Sequence, residues 1–201
     1  MKNIAVLLAE GFEEIEALTV VDILRRAEEN CEMVSVDKID VKGAHNIIVK
    51  ADKIINDEIK NYDLIVLPGG MPGAKNLRDN EKVIELVKHF NEENKLIGAI
   101  CAAPIVLAKA DIIAGKKITS YPGYENELNK GTYIEDATVV VDGNIVTSRG
   151  PATAIEFSYK LLELLGNDSY KKLSEAMMYD FLIKVKGKKG GNSEGKMDPC
   201  K

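Results

Sequence analysis

Residues 4–9 form a short, unbroken apolar run, and the same pattern returns at 64–67 and 96–100. Apolar runs of that length without polar alternation are expected of strands covered on both faces, as in a parallel sheet. A second strand is predicted over 33–36, with a β-rich excursion through Val41 and 47–49. Between these runs the spacing becomes helical. A helix begins after Gly11, with Glu13 and Glu14 in its first turn and Arg25 and Arg26 near its end, where the macrodipole favours them. Val83, Leu86, Val87 and Phe90 share one face of a helix predicted over 81–93, and residues 105–108 lie in another. Asp142-Gly143-Asn144 separates 139–141 from 145–147 as a hairpin turn would. Two further helices are predicted over 152–165 and 168–183, the second capped by Asp168 or Ser169. Strands alternating with helices imply a mostly parallel sheet with helices on both faces, an α/β domain spanning 1–183. From Lys184 the chain is rich in Lys, Gly, Ser and Asn without apolar periodicity, which predicts a disordered basic tail over 184–201.

Charge and composition narrow the partners. A net charge of −5 argues against a duplex-binding surface, which needs clustered Lys and Arg. The apolar runs are too short to span a bilayer, and the N-terminus reads as a strand, not as a cleavable signal; a cytoplasmic protein without membrane contact is expected. Three widely separated cysteines, Cys31, Cys101 and Cys200, do not make a disulfide framework and fit a reducing compartment. Two histidines, His45 and His89, without a Cys or acidic cluster at ligand spacing, leave no metal expected.

In open parallel sheets, ligands sit outside the carboxyl ends of the strands, so the turns after strands are where chemistry is sought. Small residues flank Cys101 in 98–104, as a tight strand-to-helix elbow requires. A cysteine at a helix N-terminus has its thiolate favoured. By itself the pattern fits an activated thiol and a buried core cysteine equally. Glu16 shifts the balance: it shares a helical stripe with apolar Val20, Ile23 and Ala27. A carboxylate buried there beside Cys101 would have a raised pKa and could give and take protons near neutrality. Pro68-Gly69-Gly70 follows a strand and could present amides to a developing oxyanion, although a plain tight turn reads the same way.

Taken in order, Glu13-Glu14-Ile15-Glu16, Leu67-Pro68-Gly69-Gly70, Ala99-Ile100-Cys101-Ala102-Ala103-Pro104 and Thr147-Ser148-Arg149-Gly150-Pro151 resemble the ThiJ/PfpI family, closest to the branch typified by the parkinsonism-associated deglycase. The resemblance runs over about residues 1–183. It implies a flavodoxin-like sandwich, a homodimer, Cys101 as nucleophile, Glu16 as its hydrogen-bonded acid/base, and amides of Gly69, Gly70 and Ala102 around an anion site, with Arg149 and Pro151 in support. It also implies oxidation of Cys101 to a sulfinate that Glu16 hydrogen-bonds. Two positions depart from the branch. Tyr121 precedes Pro122 where a histidine is often found, and tyrosine titrates far too high to replace imidazole as an ordinary base. An arginine that the family contributes across the dimer is replaced near His45-Asn46, so His45 is either a loop residue or a group reaching the partner's site.

Two functions follow. In one, Cys101 adds to a small reactive aldehyde such as methylglyoxal, or to its glycated adduct, and Glu16 moves the protons; no cofactor is needed, because the substrate oxidises and reduces itself. In the other, Cys101 is an oxidative-stress sensor or the switch of a redox-regulated chaperone. A cysteine peptidase is disfavoured because Ala102 stands where the family's peptidases carry histidine, and an amidotransferase because no histidine follows His89. Glu10-Gly11-Phe12 after the first strand is not a glycine-rich phosphate loop, which argues against a dinucleotide. The first helix, with Glu13, Glu14 and Arg26, is expected at or near the dimer interface.

Overall fold

The computed structural model describes residues 1–189. In chain order it contains β1 (Asn3–Leu8), α1 (Glu14–Arg26), β2 (Asn30–Ser35), β3 (Asp40–Lys42), β4 (Ile48–Lys50), β5 (Lys53–Ile54), β6 (Leu64–Leu67), α2 (Gly73–Arg78), α3 (Glu81–Glu92), β7 (Leu96–Ile100) and α4 (Pro104–Lys109). The second half continues with β8 (Lys117–Ile118), β9 (Thr132–Tyr133), β10 (Val139–Asp142), β11 (Ile145–Ser148), α5 (Ala154–Leu164), α6 (Tyr170–Ala176) and α7 (Tyr179–Lys189).

The main sheet runs in the order β10-β11-β7-β6-β1-β2-β5. Its pairs are parallel except for the β10–β11 hairpin. Alternate residues of the central strands go to opposite faces, as the two-residue period demands. Ala5 and Leu7 of β1 join Val83, Leu86, Val87 and Phe90 of α3 on one face. Ile4, Val6 and Leu8 join Val20, Ile23 and Leu24 of α1 and Phe157 of α5 on the other. Two cores therefore sandwich the sheet, and together they bury residues 4–8 of β1 on both faces, which is why that run shows no alternation. The chain leaves β1 toward β2 and then crosses back to β6 on the other side. The crevice where those directions diverge lies at the carboxyl ends of β1 and β6.

Three sequence expectations are corrected. The helix expected over 168–183 is two helices, because α6 ends at Ala176, Met177 caps it and Met178 takes a left-handed conformation with φ of +61°. The break swings Tyr179 onto α5, where its ring meets Tyr159 edge-on at 5.4 Å and its hydroxyl donates to Glu156 at 3.2 Å. The tail expected from Lys184 begins later, since α7 carries on to Lys189; the rest of that tail, with Cys200, lies outside the described residues. The helix expected from residue 152 starts at Ala154, behind a single 3₁₀ turn over Pro151–Thr153.

Gly98 of β7 sets how closely α5 can lie on the sheet. A Cβ there would come within 2.9 Å of Phe157 Cζ and 3.3 Å of Leu161 Cδ2. Gly98→Val is expected to destabilise the fold by about 1–3 kcal/mol through overpacking. The check is a lower urea midpoint with an unchanged slope.

Candidate active site

Cys101 follows directly on β7 and precedes α4. Its φ is +64°, the left-handed region that a non-glycine residue enters at a cost of about 1–2 kcal/mol. Backbone bonds hold it there. The Cys101 N–H donates to Ser148 O at 3.0 Å, and its carbonyl accepts from Tyr121 N–H at 2.9 Å. Ser148 is fixed in turn, its hydroxyl donating to Thr138 O at 2.7 Å. The sharp turn lifts the thiol off the strand end toward the crevice beside α1.

Glu16, on the first turn of α1, is completely buried on the stripe that includes Val20 and Ile23. Its Oε2 accepts from Gly69 N–H at 2.8 Å, while the equally buried Oε1 has no hydrogen-bond partner among the described residues. The Cys101 thiol stands beside this carboxyl. Burial raises the Glu16 pKa to about 7, against the pull of the thiol and the Gly69 amide, which stabilise the charged form. Burial also pushes the Cys101 thiol up, to about 12, helped by the charge and hydrogen bonding of Glu16; amides of Ala102 and Gly70 pull the other way. Physically the two groups form one acid that keeps a proton across neutral pH, either on carbon-bound oxygen or on sulfur. The favour expected for the thiolate from a helix N-terminus is weak in this position: α4 begins three residues later, and burial and the neighbouring carboxylate oppose the amides. With the proton on Glu16, the thiolate has two amide donors and an acid next to it.

A glycine at 69 is a requirement of this contact. A Cβ there would lie 2.6 Å from Cys101 Cβ and 2.7 Å from Glu16 Oε2. Gly70, at φ of +85°, packs its α-carbon on the Gly11–Glu13 backbone, where a Cβ would come within 2.3 Å of Glu13 N. The Glu13 N–H donates to Gly69 O at 2.9 Å and the Gly73 N–H to Gly11 O at 3.1 Å, so the loops after β1 and β6 are interlocked.

A buried glutamic acid, a strained cysteine elbow and a glycine loop thus meet at the ends of three neighbouring parallel strands. The model of the DJ-1/PfpI family matches residues 2–164. The chain belongs to the DJ-1/PfpI family. DJ-1alpha of Drosophila melanogaster is 37% identical over 185 residues, covering 90% of this chain and 85% of that protein. DJ-1 homolog B of Arabidopsis thaliana is 38% identical over 180 residues, 88% of this chain but 41% of that longer protein. The oxidized DJ-1 of Toxoplasma gondii superposes with a TM-score of 0.81 at 37% identity, covering 89% of this chain and 98% of that one. The fold is accordingly the flavodoxin-like one of the DJ-1/PfpI proteins.

The remaining residues singled out in this DJ-1/PfpI sequence fall in different places. Gly70, Cys101, Ala102, Tyr121, His45 and Pro151 border one cavity of about 660 Å³. Gly69 departs from its expected part, since its N–H is given to Glu16 and not to an oxyanion. Arg149 is turned out of the cavity: its guanidinium donates to Thr119 Oγ1 at 3.3 Å and Glu135 O at 2.7 Å, tying down the 119–135 segment. His45 sits at the mouth of its own chain's cavity. Its Nδ1 lies 3.0 Å from Glu14 Oε2, and Glu14 Oε1 accepts the His45 and Ile47 amides at 2.8 and 3.3 Å. Hydrogen bonding to Glu14 and the charge of Glu13 raise the His45 pKa. Ligand atoms of Glu13, Glu14 and His45 lie within 4.8 Å of one another and could hold a cation, but the bonds just named already occupy Glu14. His89 is away from the site, its Nε2 3.3 Å from Lys60 O. Sequence reasoning missed Tyr124, which lines the cavity; the Pro122-Gly123 turn that brings it back beside Tyr121 was the available signal. Among the described residues, no helix is long and apolar enough to cross a membrane.

The raised pKa of Glu16 has a thermodynamic consequence. An unfolded glutamate releases its proton near pH 4.5, whereas the buried one holds it to about 7. The contribution of Glu16 to stability is therefore fully present below about pH 4.5 and is lost as pH rises through about 7. Glu16→Gln, which cannot ionise, is expected to lose less stability than the parent between pH 5 and pH 8. Urea midpoints at the two pH values measure this.

Proposed function

We propose that this protein is a cofactor-independent enzyme converting 2-oxoaldehydes such as methylglyoxal to 2-hydroxy acids, and acting on early glycated adducts by the same chemistry. The observation that carries this reading is the fully buried Glu16 carboxyl set beside the Cys101 thiol at the end of a strand, with burial raising the pKa of both groups. A proton donor and acceptor poised near neutrality, next to a nucleophile, is what an internal redox rearrangement requires.

The steps balance without an external oxidant. The Cys101 thiolate attacks the aldehyde carbon, forming a C–S bond, and the carbonyl oxygen takes the proton of Glu16 to give a hemithioacetal. The Glu16 carboxylate then removes the proton on that carbon, producing an enediolate, and returns it to the former ketone carbon, while the hydroxyl proton of the first carbon passes to the oxygen of the second. The aldehyde carbon is now oxidised to a thioester and the ketone carbon reduced to an alcohol. Water cleaves the thioester, releasing the 2-hydroxy acid and restoring the thiol. With a glycated adduct, the amine or thiol partner leaves as the carbonyl is regenerated. Amides of Gly70 and Ala102, which already face the sulfur, support the negative charge of each addition.

Methylglyoxal supplied to reduced protein is expected to yield lactate over many turnovers. Cys101→Ser should abolish it, and Glu16→Gln should lower kcat/KM about 100-fold. Retained activity in Cys101→Ser overturns the reading.

A redox-sensing or chaperone-switch role is the second reading. Two observations favour it: Cys101 opens onto the cavity, and the unpaired Oε1 of Glu16 can donate to a sulfinate oxygen when protonated. The related Toxoplasma gondii structure is of an oxidized protein. Rapid peroxide conversion of Cys101 to sulfinate without aldehyde turnover would favour this role.

The reading includes a homodimer. Ile15 on the first turn of α1 and Ile47 and Ile48 of the β3–β4 hairpin are 56%, 52% and 67% exposed, and Ile15 and Ile47 border the same cavity. Such an apolar patch beside Glu13 and Glu14 calls for a covering surface, and a second copy would also wall the open side of the site. Light scattering at micromolar concentration is expected to give twice the chain mass, and Ile48→Glu to give the monomer; a monomeric parent refutes the dimer.

A further inference from the structure

Tyr121 and Tyr124 have no part in the chemistry above, yet both line the cavity that holds Cys101. Hydrogen bonds tie down the start of their loop. Thr119 N–H donates to Thr147 Oγ1 at 2.9 Å, Ser120 Oγ donates to Tyr121 O at 2.9 Å, and Tyr133 Oη donates to Ser120 O at 3.1 Å. The Tyr121 amide bonds the nucleophile's own carbonyl at 2.9 Å, which ties the position of its ring to that of the sulfur. The ring rests on Gly150, where a Cβ would make ordinary contact with Cδ2 at 3.4 Å, and half of it stays exposed. Tyr124 is partly buried against the core on the α3 side of the sheet, and the Cys101 charge adds to the burial that raises its pKa. Met71 and Pro151 complete an apolar wall around the thiol.

The charges at the same cavity are lopsided. Glu13 and Glu14 border it against the single imidazole of His45, and among the described residues no lysine or arginine lines it. Arg149, the nearest candidate, is bonded elsewhere. The volume of about 660 Å³ also exceeds what a three-carbon aldehyde fills.

We propose that Tyr121 and Tyr124 form an aromatic subsite beside Cys101 that takes a flat, uncharged substituent of the carbonyl substrate and disfavours anionic ones. As to substrate class, this deepens the enzymatic reading by pointing to aryl- and alkyl-substituted 2-oxoaldehydes over phosphorylated or carboxylated carbonyls. The subsite itself is a property of the cavity and can be read without turnover.

The test is alkylation of Cys101 in the full-length reduced protein, located by peptide mass. The reagents are iodoacetamide, its N-phenyl analogue and iodoacetate, each normalised to glutathione. In each case sulfur displaces iodide, a C–S bond forming as the C–I bond breaks, so only the substituent differs. The phenyl reagent is expected to gain about tenfold over iodoacetamide, from aromatic contact. Iodoacetate is expected to lose about fivefold from the unbalanced carboxylates. Tyr121→Ala and Tyr124→Ala should each shrink the phenyl gain, whereas Tyr121→Phe should keep it, which a merely structural loss would not. Equal normalised rates for the phenyl and parent reagents overturn the subsite even if methylglyoxal is turned over. A phenyl gain without methylglyoxal turnover sinks the enzymatic reading and leaves the subsite standing.

Discussion

The site depends on one close approach: a fully buried carboxyl from α1 and an amide from the end of β6 meet a thiol from the end of β7 that opens onto the cavity. Three separate parallel strands have to end at the same level for these groups to touch. That demand explains the double coverage of the central strands, since a sheet buried on both faces holds its strand ends in fixed register. It explains Gly69 as well, where any side chain would fall between the sulfur and the carboxyl. The energetic tension is local. Cys101 sits in a left-handed conformation and Glu16 is held in a medium that disfavours its charge, and both are kept there by bonds to neighbouring strands and loops.

Burial acts differently on the two described cysteines. Cys31 is pushed up to about 12 chiefly by burial, with the more distant charges of Arg25, Asp52 and Glu32 pulling in opposite directions. Cys101 is raised to a similar degree, yet after burial the next cause is a carboxyl that can itself carry the proton. A raised thiol pKa therefore marks an inert core residue in one place and half of a proton-sharing pair in the other. The difference lies in the neighbour, not in the number.

Much of this architecture was legible in the sequence because burial leaves a pattern. The unbroken apolar runs of β1, β6 and β7 and the stripe of α3 correspond to elements now seen, and Glu16 stood out because it broke an apolar stripe. The two-residue strands β5, β8 and β9 carry no periodicity and could not be read. The break at Met178 could not either, since it follows from Tyr179 docking on α5, a long-range contact. In the site, glycine flagged the right loop but not the direction of its amide: Gly69 turned out to serve Glu16. Arg149 was legible as part of a motif, but only its hydrogen bonds show that it braces a loop and does not enter the cavity.

The interlock of the loops after β1 and β6 bears on how a ligand gets in. With Gly11 and Gly70 packed backbone to backbone, Gly73 bonded to Gly11 and Glu13 to Gly69, neither loop can swing out alone without breaking the other's hydrogen bonds. The floor of the crevice is thus a rigid casting, shaped before any ligand arrives. Encounter is then governed by diffusion through a fixed mouth and not by the opening of a gate. Little conformational entropy remains to be surrendered at the reacting atoms when a ligand binds.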